Sequence, residues 1–247
     1  MTDQRRAKMA LERSDAAASA RPGRPTPQLV RPPAPKASAS YDPNCTRCPR
    51  LAEFLAETHQ RYPGYFARPV PSFGAAAPRI LIVGLAPGMH GANRTGRPFT
   101  GDYAGLLLYE TLYELGLATR AESTSADDAL QLRNARIVNS VKCVPPANKP
   151  LPEEIRRCNA YLQAELRELT GFRVVVALGR IAHEAFLMSE GLKRGDFPFG
   201  HGREHSLGPG KHLIDSYHCS RYNTQTRRLT PEMFKKVLAR ACELAEL

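Results

Sequence analysis

Arg79-Ile-Leu-Ile-Val83, closed by Gly84, is an unbroken apolar run of strand length, and Val174-Val-Val-Ala-Leu178 before Gly179 repeats the pattern. Such runs read as strands buried on both faces. Arg136-Ile-Val-Asn139 and His212-Leu-Ile-Asp215 are shorter candidates of the same kind. Helices are expected between and after them, at about 103–117, 152–169, 180–189 and 231–245. Pro152 and Pro231 suit first-turn positions and Thr230 suits an N-cap. In the second helix Ile155, Cys158, Leu162, Leu166 and Leu169 fall on one stripe, which turns Cys158 inward. The alternation predicts an α/β fold with helices on the faces of a single sheet of four parallel strands.

The chain has 247 residues, 42% of them hydrophobic and 24% charged, enough to bury a core without disulfides. No apolar run approaches the ~20 residues that cross a bilayer, so a membrane protein is not expected. Residues 1–40 carry six prolines among Ala, Ser and Arg. That composition predicts a disordered basic arm, followed by one domain over 41–247. Eight basic and three acidic residues give the arm +5 of the total +11, so both parts favour a polyanionic partner such as nucleic acid. Six cysteines without an apolar leader point to a reducing, cytoplasmic setting.

Three groups of residues carry chemistry. Cys45-Thr-Arg-Cys48 brings two thiols within reach of one metal, and Cys143 and Cys158 can add two more. Spacing alone leaves zinc and an iron–sulfur cluster open. The strand ending at Val83 runs into Gly84-Leu-Ala-Pro-Gly88 and then a long loop with Asn93, Arg94, Arg97, Phe99 and Asp102. Loops at the carboxyl ends of strands hold the ligands of open α/β sheets, and Gly84 and Gly88 let backbone N–H groups approach a flat base or a phosphate, with Ala86 between them a further substrate-binding candidate. The loop matches neither nucleotide fingerprint of that type. The third group, His218-Cys-Ser220-Arg221-Tyr222-Asn223, again follows a strand. Its adjacent residues cannot converge as a hydrolytic triad. His201 and His205 read as a polar loop, and His183-Glu184 lacks the second helical histidine of a zinc protease.

Together these loops, the segment Val138-Asn139-Ser-Val-Lys142-Cys143-Val-Pro-Pro146 and the four cysteines resemble the iron–sulfur uracil-DNA glycosylases over residues 41–247. Leu85, where family 4 carries Glu, and the H-x-S-x-x-N pattern from His218 to Asn223 look like family 5. Cys219 departs from the proline common there.

The resemblance implies a three-layer α/β/α sandwich around a central, mainly parallel four-stranded sheet. It also implies one [4Fe–4S] cluster held by Cys45, Cys48, Cys143 and Cys158, and excision of uracil and other deaminated bases such as hypoxanthine from double-stranded DNA, initiating base excision repair. Phe99 becomes the stacking face for a flipped base. Asn139 reads the uracil edge, His218 stabilises charge on the leaving base, and Asp102 acts near the sugar and on water. Asn93, Ser220 and Asn223 support the substrate. Arg221 and Tyr222 stand where the superfamily inserts a wedge, and Arg94, Arg97 and Lys142 are candidate phosphate contacts. The expected partner is DNA, bound by a monomer on the cytoplasmic nucleoid. The rival readings are a damage sensor without turnover and a zinc-dependent phosphoesterase.

Overall fold

The computed structural model describes Arg31, Pro33 and residues 36–247; most of the expected arm lies outside the described residues. Six strands form one sheet. They are β1 (Phe73–Gly74), β2 (Ile80–Gly84), β3 (Ala135–Asn139), β4 (Val174–Leu178), β5 (Glu204–Gly208) and β6 (Lys211–Ser216), in the order β1-β3-β2-β4-β6-β5. β3, β2, β4 and β6 run parallel, while β1 and β5 close the two edges antiparallel. The expected four-stranded sheet is thus corrected to a mixed six-stranded one. Both missed strands lack an apolar signature. β1 is two residues long, and β5 alternates exposed and half-buried positions along Glu-His-Ser-Leu-Gly. What makes β5 a strand is its hairpin with β6 across Pro209-Gly210, a constraint set by turn and partner rather than by composition.

Among the described residues, the α-helices beside the sheet are α1 (Pro49–Arg61), α2 (Ala92–Thr95), α3 (Tyr103–Glu114), α4 (Pro152–Glu168), α5 (Arg180–Ser189), α6 (Arg221–Gln225) and α7 (Pro231–Leu244). The strands' period of two divides the core. Ile80, Ile82, Ile137, Val174, Val176 and Ile214 face α3 and α7, which supply Leu108, Leu112, Phe234 and Leu238. Leu81, Val83, Val138, Val175, Ala177 and Leu213 face α4 and α5, which supply Leu162, Leu166 and Phe186. Local chemistry sets the helix starts. Asp102 Oδ1 accepts the Gly105 N–H at 2.9 Å, Thr230 Oγ1 accepts the Met233 N–H at 3.2 Å, and Pro152 opens α4.

α1 packs Leu51 and Leu55 against Val141, Val144, Cys158 and Tyr161, and so covers the loop that leaves β3. An ion pair between Arg50 and the buried Glu154 at the start of α4 ties it down. Among the described residues no helix is long and apolar enough to cross a membrane.

Candidate active site

The parallel register decides where the functional groups meet. Gly84 lies opposite Asn139 at the end of the β2/β3 pair, and Leu178 lies opposite Ser216 at the end of β4/β6. The segments that follow β2, β3 and β6 therefore leave the sheet along one edge. A cleft of about 520 Å3 opens there, lined by Ala86, Gly88, Phe99, Asp102, His218, Ser220 and Arg221 among others.

Phe99 is 7% exposed, and its ring lies 5.9 Å from the His218 imidazole at an angle of 28°. Its φ of 53° is a left-handed conformation, which costs an aromatic residue on the order of 1–3 kcal/mol and persists only where neighbours hold it. The holders are adjacent: Tyr109 Oη donates to Pro98 O at 2.8 Å, and Thr100 is fully buried.

Asp102 caps α3 with Oδ1. A Cβ at Gly91 would collide with the Asp102 carboxylate, so the glycine makes the room in which the acid sits. Burial raises the Asp102 pKa above the usual carboxylate value, against the pull of the Gly105 and Ala104 amides and of Arg94. Burial lowers the pKa of His218 to about 4. At neutral pH its ring is uncharged, with one N–H and one lone pair. Asn223 Nδ2 donates to His218 O at 2.8 Å, and Ser220 Oγ caps α6 by accepting the Asn223 N–H at 3.4 Å.

Asn139 is 3% exposed, and among the described residues its Oδ1 has no hydrogen-bond partner. It does not itself line the cleft. It lies beside Gly84, where an added Cβ would meet both the Asn139 amide oxygen and the Phe99 ring. A buried amide oxygen left without a donor costs on the order of 1–3 kcal/mol, so this atom waits for one.

The other expected residues separate into groups. Ala86, Gly88, Ser220 and Arg221 line the cleft, and the Arg221 guanidinium lies 5.9 Å from the Tyr103 ring centroid. Tyr222 is 72% exposed. Arg94 is exposed, with Nε donating to His90 O at 2.7 Å. Asn93 is fully buried below the loop, and Asn223 braces the His218 backbone rather than lining the cleft.

Two of the expected phosphate contacts, Arg97 and Lys142, lie in the interior. Arg97 is 4% exposed and is held by Asp128, Thr100, Ser123 and Ser125. Lys142 is 2% exposed and pairs with Glu165 at 3.1 Å and Ser72 at 2.9 Å. Both cations shape the interior.

The expected four-cysteine [4Fe–4S] centre is also corrected. Cys45, Cys48, Cys143 and Cys158 line one small pocket, where burial raises the pKa of Cys143 and of Cys158, the latter to about 11, and Cys158 Sγ accepts the Lys142 N–H at 3.2 Å. Among the described residues, the group of three whose potential ligand atoms all fall within 4.8 Å of one another is instead His183, His205 and Asp215. Asp215 Oδ1 meets His183 Nδ1 at 2.7 Å, and Oδ2 meets His205 Nε2 at 3.3 Å and accepts the Gly200 N–H at 3.2 Å. The pattern of the sequence missed this cluster because its members come from α5, β5 and β6. His183 on a buried helix face was the available signal. His90, Tyr103 and Asn148 also line the cleft without having been singled out; His90 and Tyr103 flank the loop already marked, and Asn148 follows Cys143 in the segment after β3.

The family profile of the uracil DNA glycosylase superfamily matches residues 71–242. A Type-5 uracil-DNA glycosylase of Thermus thermophilus is 51% identical over 208 residues, covering 82% of this chain and 94% of that protein. One from Pyrobaculum aerophilum is 42% identical over 202 residues, covering 80% and 88%. A Type-4 uracil-DNA glycosylase of Thermotoga maritima is 34% identical over 163 residues, covering 64% and 75%.

Proposed function

Because the chain belongs to the uracil DNA glycosylase superfamily, we propose that it is a DNA-repair glycosylase of the type-5 kind, which draws uracil out of duplex DNA and hydrolyses its bond to deoxyribose. The observation that carries this reading is the convergence of Phe99, Asp102 and His218 on one cleft with the unpartnered Asn139 amide behind Phe99.

Extrusion of a base costs a few kcal/mol, least where it is mispaired, as in U·G. Stacking on Phe99 offsets part of that. Asn139 Oδ1 is suited to accept the uracil N3–H, and its Nδ2 to donate to O4. As the N1–C1′ bond lengthens, negative charge spreads over the base towards O2 and positive charge over the sugar. The neutral His218 ring donates its N–H to O2 without adding a buried cation to the free enzyme. The Asp102 carboxylate faces the sugar, stabilises its positive charge and orients the water whose oxygen bonds to C1′ as the base departs and takes up a proton.

The same cleft serves other deaminated bases such as hypoxanthine. The protein acts as a monomer on the cytoplasmic nucleoid, and Arg94 and Arg221 contact phosphates. The glycosylase domain spans residues 41–247, and the basic charge of residues 1–40 adds to its attraction for DNA.

A duplex with one U·G pair, incubated with the protein and then treated with alkali, tests the reading. A strand break at the uracil only after alkali is expected. Tight binding without a break would leave a damage sensor, and a break before alkali would indicate a phosphoesterase.

A further inference from the structure

The chain Tyr62-Pro63-Gly64-Tyr65 leaves the end of α1 in a tight turn closed by the Tyr65 N–H to Tyr62 O bond at 2.9 Å, with proline and glycine at the two central positions. The turn stacks the two tyrosine rings on one another, 4.6 Å apart and 16° from parallel, leaving the outer faces of the pair for a further ring. His90 meets both edge-on, at 5.9 and 6.0 Å, and its Nδ1 lies 2.9 Å from Tyr65 Oη.

These rings do not belong to the core. Both tyrosines are half-buried and His90 is exposed, whereas nearby Phe66 is buried. His90 is also one of the residues lining the cleft, and its contacts with the two tyrosines place them next to it. Two cations accompany it: the Arg61 guanidinium lies 5.4 Å from the Tyr62 centroid, and Arg94 donates to His90 O. Among the described residues neither arginine forms an ion pair. Half-buried tyrosines fixed by a tight turn, with two arginines beside them, match the chemistry that holds unpaired nucleobases.

We propose that Tyr62, Tyr65 and His90 form a second stacking subsite, which takes an unpaired nucleobase neighbouring the extruded one in single-stranded DNA. The proposal rests on the reading that the cleft receives a flipped base. Extrusion deprives the neighbouring base of one stacking partner. In a single strand no complementary base holds it in place, and the tyrosine pair behind His90 offers a replacement surface. In a duplex the neighbour stays paired and gains less from the platform.

The test uses the full chain and short single strands containing one uracil, with 2-aminopurine on its 5′ side in one and its 3′ side in the other. Stacking on tyrosine quenches 2-aminopurine, and affinity is read from anisotropy of the same strands. The native protein is expected to quench at least one of the two probes. The paired substitution Tyr62→Leu with Tyr65→Leu is expected to relieve that quenching and to weaken single-strand binding at least about fivefold, as loss of a base–aromatic stack implies, with a smaller loss on a U·G duplex. Tyr65→Phe keeps the stack while losing the hydroxyl at His90, and is expected to quench as the native chain does. Unchanged quenching of both probes by the leucine variant, or equal losses on single strand and duplex, would overturn the proposal. Neither readout needs turnover, so absence of uracil excision would reject the proposed function without deciding this one.

Discussion

At the level of single residues, excision turns on the protonation of two buried groups. Burial lowers the His218 pKa to about 4, so its imidazole is neutral at pH 7, and burial raises that of Asp102, whose proposed role requires the ionised form. As pH falls, Asp102 takes up its proton before an ordinary aspartate would, and excision fails on the acid side. The pH profile of single-turnover excision from a U·G duplex is expected to show an acid limb above the range of a free aspartate, and Asp102→Asn is expected to remove that limb while lowering the rate about 10²–10⁴-fold.

Stability moves the other way. A carboxyl whose pKa is raised in the folded state is destabilising when ionised, so Asp102→Asn, which keeps an N-capping side chain, is expected to raise Tm at pH 7. The gap should close as pH falls into the carboxylate range. A lower Tm would show that the capping oxygen outweighs the buried charge. Phe99, Asp102 and His218 were readable in the sequence because each stands in a loop after a strand. The confinement of Arg97 and Lys142 was not, because their carboxylate partners Asp128 and Glu165 are distant in the chain.

At the scale of the element, the β2/β3 register places Gly84 against Asn139, and one added methyl there would meet both the amide and Phe99. Gly84→Ala is therefore expected to damage excision far more than folding, seen as a large loss of single-turnover rate with a cooperative thermal transition retained. The cap of α7 is a separate, local contribution. Thr230→Ala is expected to cost about 1 kcal/mol in chemical denaturation without changing excision.

The four central strands were legible because burial on both faces writes an apolar run. The edges β1 and β5 were not, since one is two residues long and the other owes its conformation to a hairpin partner. α1 was overlooked for a different reason: its buried contacts are Leu51, Leu55 and Thr58 along an otherwise polar helix, a sparse stripe beside the conspicuous cysteines.

At the scale of the whole molecule, a net charge of +11 predicts DNA binding that weakens steeply with salt. Arg221→Ala is expected to reduce the slope of log K against log salt by about 1. Arg97→Ala is expected to leave that slope alone and instead to destabilise the fold by about 3–5 kcal/mol, because it strands a mostly buried carboxylate. A reduced slope for Arg97→Ala would return that residue to the DNA interface.

All of this depends on the loops after β2 and β6 closing around an extruded base, with the end of β3 reading its edge. A crystal structure of the Asp102→Asn protein with a duplex containing one U·G pair measures that directly. The account predicts uracil turned out of the helix and stacked on Phe99, its N3 facing Asn139 Oδ1 and its O2 within hydrogen-bond reach of His218. Uracil still stacked in the duplex, or held outside the cleft, would contradict it.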